Sequence, residues 1–335
     1  MAESVKVIDP DLGAGYDYDS LFDWEAAQQA DIDTSNTIAV AKCRCTGGTA
    51  DTTVVTIDGW TTSAADYIKI WTDPAESYRH NGSWSTGNKY RLIINGTYLG
   101  VALRQKENYT RIDGLQVEQS DTSGNYVAIL SNLNGTGDAR ISNTIVRAGA
   151  NSLKPYGIAE DDFYGYLKVW NCLIIGFLSG ITQNASAAQT LMLYNCTIVN
   201  CTTGYEKISG TATLKNCLFS GCTTDATGAI SDTYCATTND NTKGLTAVGT
   251  GNRFSQTFTF VGAPDYHLAS NDEGALGFGL NLYNDATYPF QDDIDGQDRG
   301  GAAASWDIGA DEYVSAVTNL SIFASECVGS EGVFG

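Results

Sequence analysis

Basic residues are scarce in this chain: Lys and Arg total 19 against 39 Asp and Glu, leaving a formal net charge of −20. A surface that acidic repels phosphate backbones and anionic headgroups, which disfavours nucleic-acid and membrane-surface roles. Long apolar runs are missing as well, and no stretch approaches the roughly 18 residues of a membrane-spanning helix. Proline occurs 5 times and His only 2 times. With histidine confined to His80 and His267, Ser-His-Asp and Cys-His mechanisms have almost nothing to draw on. The opening Met1-Ala2-Glu3-Ser4-Val5-Lys6 shows neither a basic nor an apolar signal region, so synthesis in the cytosol with reduced thiols is expected. What the chain does have is 36 Gly, abundant Asn, Thr and Asp, and 42% hydrophobic residues. That mixture suits many short strands joined by tight turns, not a helical bundle, a coiled coil or a disordered chain.

Internal repetition sets the fold class. Five segments align: Arg111–Val117, Arg140–Val146, Lys168–Ile174, Met192–Ile198 and Thr213–Phe219. Taking Gly114, Asn143, Asn171, Asn195 and Asn216 as register, successive steps are 29, 28, 24 and 21 residues, about one coil of a right-handed parallel β-helix. The hydrophobic alternation has period 2, and each unit is too short to bury its own face, so stacking must do it. The residue after each register position (Leu115, Thr144, Cys172, Cys196, Cys217) and the one two further on (Val117, Val146, Ile174, Ile198, Phe219) are expected to point inward. The Asn column fits a bend where Asn tolerates left-handed backbone and its amide reaches the next rung. Phe177, Cys201 and Cys222 form a second inward column.

This register also decides the cysteines. Nine are present, an odd number that rules out complete internal pairing. Cys196/Cys201 and Cys217/Cys222 read as interior ladders of small hydrophobes, because the spacing of a zinc site is absent. Cys43 and Cys45 share one face of a short strand, and Cys327 in the tail is the candidate for an intermolecular bond. Upstream, Ser20–Ala30 reads as a short helix capped by Ser20 and plugging the first rung. The expected organisation is residues 1–35 as an N-terminal segment and capping helix, 36–260 as coils with an insertion at 73–88, 261–313 as a closing module, and 314–335 as a tail.

With these Asn-Cys-x-Ile/Phe rungs the chain resembles the pectin-lyase-like right-handed parallel β-helix superfamily. Asp265-Tyr266-His267-Leu268, Asp293-Ile294-Asp295-Gly296 with Arg299, and Trp306-Asp307-Ile308-Gly309-Ala310-Asp311-Glu312-Tyr313 resemble the closing module of a group of bacterial and phage β-helix proteins. Asn271-Asp272-Glu273-Gly274 replaces that group's usual Ser-Pro-Ala stretch. The opening Gly15–Gln29 is similar to the N-termini of phage-encoded members. The resemblance covers roughly residues 16–313 and fixes fold more firmly than function. It implies a structural surface protein of a tailed-phage virion, a head decoration or part of a fibre or spike, made in the host cytoplasm and released by lysis. Its partners would be other virion proteins, and the resemblance extends the trimeric association common among phage β-helices to this chain. A polysaccharide-degrading tailspike and a bacterial adhesin are the alternatives.

For catalysis the sequence offers little that is specific. The lyase Arg-x-x-Pro is absent, and Asp161-Asp162 has no Gly-His-Gly or Arg-x-Lys downstream. A glycosidase needs only two carboxylates on neighbouring rungs, and Glu118, Asp138, Glu160, Asp161, Asp162 and Glu206 are available. The expected reading is therefore a protein without catalytic residues that contacts host polysaccharide through loop aromatics: Tyr78, Trp84, Tyr98, Tyr126, Tyr156, Phe163 and Tyr164. Several of these can equally cap the core. Asp293, Asp295 and Asp298, with Gly296, resemble the start of a calcium loop, but its twelfth position is Ala304 where a bidentate Glu belongs. A closing turn without a cofactor is the expected reading and Ca²⁺ the alternative, and His267 in the neighbouring strand reads as structural.

Overall fold

Each register position supplies a corner that ordinary residues avoid. Gly114, Asn143, Asn171, Asn195 and Asn216 have φ between 45° and 75°, where Asn and Gly are the favoured occupants. At each corner the chain leaves one parallel sheet and enters the next, and three such sheets stack into a right-handed parallel β-helix. The computed structural model describes residues 2–95, 100–120, 126–133, 135, 137–149, 156–161, 165–184 and 189–314.

Sheet one has nine strands, from Ala2–Ile8 and Thr37–Cys43 through Asp138–Ser142 to Ser231–Thr233. Sheet two has seven, from Leu92–Ile94 to Ala236–Thr237, and sheet three has seven, from Val55–Ile57 to Thr224–Thr227. Within the coil all pairings are parallel; the antiparallel pair is Phe260–Gly262 with Asp265–Leu268. The shrinking repeat is absorbed in turns. Between sheets two and three the connection is 7 residues after Gln119 and after Ala148, but 3 after Ile175, Val199 and Ser220.

The inward columns are as the register requires. Leu115, Thr144, Cys172, Cys196 and Cys217 are fully buried, as are Val117, Val146, Ile174, Ile198 and Phe219. Cys172, Cys196 and Cys217 donate their thiols to carbonyls at 3.2–3.4 Å, and all eight cysteines among the described residues are buried. Cys43 and Cys45 are among them; Cys327 lies outside the described residues. A sixth corner escaped the sequence reading: Tyr234 adopts φ 53° and sends Cys235 inward to full burial.

The Asn ladder is real but intermittent. Asn171 Nδ2 donates to Asn143 Oδ1 and Asn216 Nδ2 to Asn195 Oδ1, each at 3.1 Å. The remaining amide capacity goes outward to the C-terminal segment: Asn171 to Asp292 O at 2.8 Å and Asn216 to Leu280 O at 2.7 Å. This segment, from about Phe258 to Tyr313, therefore runs as a strap along the side of the coil, while Ile230, Leu245 and Phe254 pack over its last rungs.

The strap explains why sheet two is apolar on both faces. Ile145, Leu173 and Val199 point away from the core yet are buried under Trp84, Tyr266, Ile294 and Ala310. Leu218 and Ala236 meet Leu268, Ala275 and Ile308. On sheet one, Met192 and Tyr194 lie under Leu282 and Trp306. Arg299, 2% exposed, ties the strap together by donating to Glu312 at 3.0 Å and to the carbonyls of Asp292 and Ala310.

At the other end, the helix α1 (Leu21–Gln28) is capped by Ser20, whose side chain accepts from Asp23 N, as the sequence indicates. Leu21 and Trp24 seal the first coil, and a short α2 (Ile32–Ser35) follows. The expected polar N-terminal segment is instead a strand: Ala2–Ile8 pairs in parallel with Thr37–Cys43. Its first four residues are exposed, so it shows no hydrophobic alternation by which to recognise it.

Candidate glycan-contact groove

Strap and insertion cover the outer face of sheet two and part of that of sheet one, and the outer face of sheet three carries a groove. Its floor is the outward column Arg104, Leu130, Ala159, Thr182, set by the pairings of Val101–Gln105, Val127–Ser131, Tyr156–Asp161 and Ser179–Asn184. Val101, Val127 and Tyr156 form the neighbouring column. Asp161 and Asn184 form the far edge, with Asn184 Nδ2 donating to Asp161 Oδ1 at 3.1 Å. The enclosed volume is about 330 Å³, at the lower end of ligand-binding clefts. A larger hollow of about 560 Å³ at Tyr283–Gln291 is shallower and is built on a loop of the strap. The rigid sheet makes the better platform.

The groove sets the apolar Val101, Val127, Leu130, Tyr156 and Ala159 among the polar Arg104, Asp161, Thr182 and Asn184, a mixed lining able to take a sugar. Arg104 is half-buried and, among the described residues, makes no hydrogen bond or ion pair. Arg44, Arg79, Arg140, Arg147 and Arg299, by contrast, are each matched to a carboxylate. A cation left free in a chain of net charge −20 is available to an incoming anion.

Beneath the floor lies a buried polar column. Gln105, Ser131, Glu160 and Gln183 follow one another on adjacent rungs and are 0–1% exposed. Gln189 Nε2 donates to Glu160, and Tyr205 donates to Gln183 Oε1 at 2.6 Å. Among the described residues, Glu160 Oε2, Ser131 Oγ and both amide atoms of Gln105 have no hydrogen-bond partner. Burial pushes the Glu160 carboxyl up to about 8, against the pull of Gln183 and Gln189. Glu160 therefore points into the coil while Asp161 points out, and the two do not face one another across the groove. Glu118 pairs with Arg147 at 2.5 Å and Asp138 with Arg140 and Lys168. Glu206 sits beside Thr182 on the next rung; Asp162 lies outside the described residues.

Of the aromatics singled out by sequence, the structure brings Tyr156 to the groove. Trp84 and Tyr126 are corrected: they are 7% and 4% exposed. Trp84 is buried between the strap and sheet two, with the Arg147 guanidinium 3.7 Å above its ring. Tyr78 is half-buried in the 73–90 insertion, away from the groove. Tyr98, Phe163 and Tyr164 lie outside the described residues. Sequence reasoning missed Arg104, Leu130, Thr182 and Asn184, whose only signal is outward position in strands of sheet three.

The acidic turn at 293–298 divides between its two readings. Asp293 is fully buried and spends its oxygens on the backbone N–H groups of Asp295, Gln297 and Glu312 at 2.7–3.1 Å. Burial and the adjoining Asp295 raise its pKa to about 9. Asp298 is exposed and caps Gly300 N at 2.9 Å. These two are turn-forming residues. Asp295, adjoining Asp293, also faces His267 and Asp311, and these three form a group able to hold a metal ion. His80 is buried, its Nε2 2.8 Å from Asn143 O, and burial lowers its pKa to about 3.

The fold is that of the β-helix proteins at large, a class that includes tailspikes, lyases and adhesins. No family model, curated protein or solved structure matches the chain.

Proposed function

We propose that the chain is a rigid surface protein that binds an acidic polysaccharide along sheet three, without cleaving it. The observation that carries this reading is the unpaired Arg104 in the same groove as Tyr156. One sugar ring of the chain stacks on the tyrosine, the carboxylate or sulfate of a neighbouring ring meets the guanidinium, and hydroxyls reach Thr182, Asp161 and Asn184. The buried coil holds these groups in place, so little ordering cost is left to binding. Catalysis by a carboxylate pair is disfavoured by the inward orientation of Glu160. The similarity of Gly15–Gln29 and of the 265–313 motifs to phage-encoded β-helix proteins supports placement on a tailed-phage particle.

The test is equilibrium binding of the full chain to alginate, polygalacturonate, a sulfated glycan and neutral dextran, with the polymers assayed afterwards for shortened chains. Binding to the anionic polymers, weakened about tenfold by Arg104→Ala or Tyr156→Ala, is the expected result. Equal affinity for dextran refutes the acidic-glycan reading. Chain shortening that is lost in Asp161→Asn or Glu206→Gln replaces it with a depolymerase. Immunogold labelling of particles from a lysate of the source culture tests the virion placement.

A further inference from the structure

Three side chains from separate parts of the strap converge beside the 73–90 insertion. His267 belongs to the Asp265–Leu268 strand, Asp295 to the turn around Gly296, and Asp311 to the last described stretch. Nε2 of His267 stands 3.6 Å from Asp295 Oδ2 and 4.0 Å from Asp311 Oδ1, beyond hydrogen-bond length. It is buried and has no hydrogen-bond partner, and Asp295 Oδ1 is in the same condition. One donor atom from each of the three residues lies within 4.8 Å of the others, slightly wider than a bound ligand set, and Asp295 Oδ2 meanwhile accepts from Gln297 Nε2 at 2.8 Å. With bonds of about 2.1 Å, tetrahedral donors lie about 3.4 Å apart.

The surroundings are built to match. His267 Nδ1 is held by Asp265, the carboxylate–histidine pairing that orients a ligating ring and leaves Nε2 as its free donor. Asp311, with 7% of its side chain exposed, is fixed through Oδ2 by Leu268 N at 2.7 Å, which leaves Oδ1 towards the cluster. A void of about 10 Å³ opens between Gly82, His267, Ile294 and Asp311, about the room of one water-sized sphere. Gly82 keeps it open: a Cβ there would fall 2.2 Å from Nε2.

We infer that His267, Asp295 and Asp311 bind one divalent transition-metal ion of the zinc class, which staples the strap. An imidazole nitrogen with two carboxylates selects this class over Ca²⁺ and Mg²⁺, which take oxygen ligands. The ion joins three points of the strap above sheet two and presses them against Gly82 of the insertion. This site is separate from the groove and independent of the glycan reading. Without an ion, the competing arrangement is a protonated His267 among Asp265, Asp295 and Asp311.

The test uses the full chain, free of any histidine tag and stripped with EDTA, titrated with zinc chloride by calorimetry and with Co²⁺ by visible absorption. The expected result is one ion per chain, ligand-field bands from Co²⁺, and a Tm rise of about 3–6 °C at saturating zinc. Both His267→Gln and Gly82→Ala weaken binding at least about tenfold; the second keeps every ligand and closes the void, and because Gly82 sits at φ 77°, circular dichroism and Tm confirm that this variant keeps its fold. The inference is overturned if the folded chain binds no zinc at millimolar concentration, or if both variants bind undiminished. It is also overturned if imidazole ¹⁵N shifts show both His267 nitrogens protonated with zinc present.

Discussion

Glu160 is a carboxyl group sealed inside the coil, 1% exposed, and among the described residues one of its oxygens has no hydrogen-bond partner and it makes no ion pair. Its pKa is raised from 4.5 to about 8, so the folded chain holds this proton more tightly than the unfolded chain does. The stabilisation is fully present below pH 4.5 and is lost as pH rises towards 8, because across that window the unfolded state releases the proton first. At 1.36 kcal/mol per pH unit the ceiling is about 5 kcal/mol, and water penetration and relaxation bring the expected loss to about 2–4 kcal/mol. Glu160→Gln keeps the shape and one acceptor and removes the titration. Wild type and variant should melt together near pH 4, and the variant should melt about 3–6 °C higher at pH 8, given roughly 0.7 kcal/mol per kelvin for a chain of this size. Differential scanning fluorimetry over pH 4–9, with pulse proteolysis in urea as a second measure, reads the difference. Melting curves that stay parallel across the range would falsify the assignment of a buried, protonated Glu160.

Other parts of the molecule give sharper local tests. Arg299→Met leaves Glu312 buried without its partner and should cost about 3–5 kcal/mol, seen in limited proteolysis as early cleavage in the strap while the coil stays intact. Asn195→Ala removes the acceptor for Asn216 and puts a Cβ-bearing residue without a compensating amide at φ 45°; a loss of about 2–3 kcal/mol in urea unfolding is expected, and Asn195→Gly should recover part of it. The eight buried thiols should resist Ellman's reagent in the native chain and react only on denaturation, so more than one fast-reacting thiol per native chain contradicts the ladder packing.

The coil was legible because its rules are local and recur: Asn171, Asn195 and Asn216 mark left-handed corners, and the cysteines beside them alternate with outward residues. Tyr234 broke the reading because a tyrosine in that conformation carries no sequence signature, although Cys235 keeps the register. The strap's position was readable in principle. Ile145, Leu173 and Leu218 are apolar at positions that alternation assigns outward, and this pattern demands a cover on both faces. The groove was half legible: Tyr156 and Asp161 were recognised, whereas Arg104 owes its importance to the partner it lacks, which only the fold reveals. The acidic run at 293–298 shows a limit of contiguity, since neighbours in sequence need not be one ligand set. In the fold Asp293 and Asp298 organise turns, and Asp295 meets residues distant in sequence.

The connections from sheet two to sheet three shorten from 7 residues to 3 along the coil, and not one inward column changes register. Turn length and rung stacking are thus separable properties of this molecule. The longer connections lead into the strands that carry Val127 and Tyr156 at the groove. Insertions, deletions or substitutions there alter what lies beside the groove without touching the buried ladders that keep the rod straight. Lineages of such a protein can change the surface they recognise by exchanging turns on an unaltered frame, and an engineer can graft a foreign loop at the same positions.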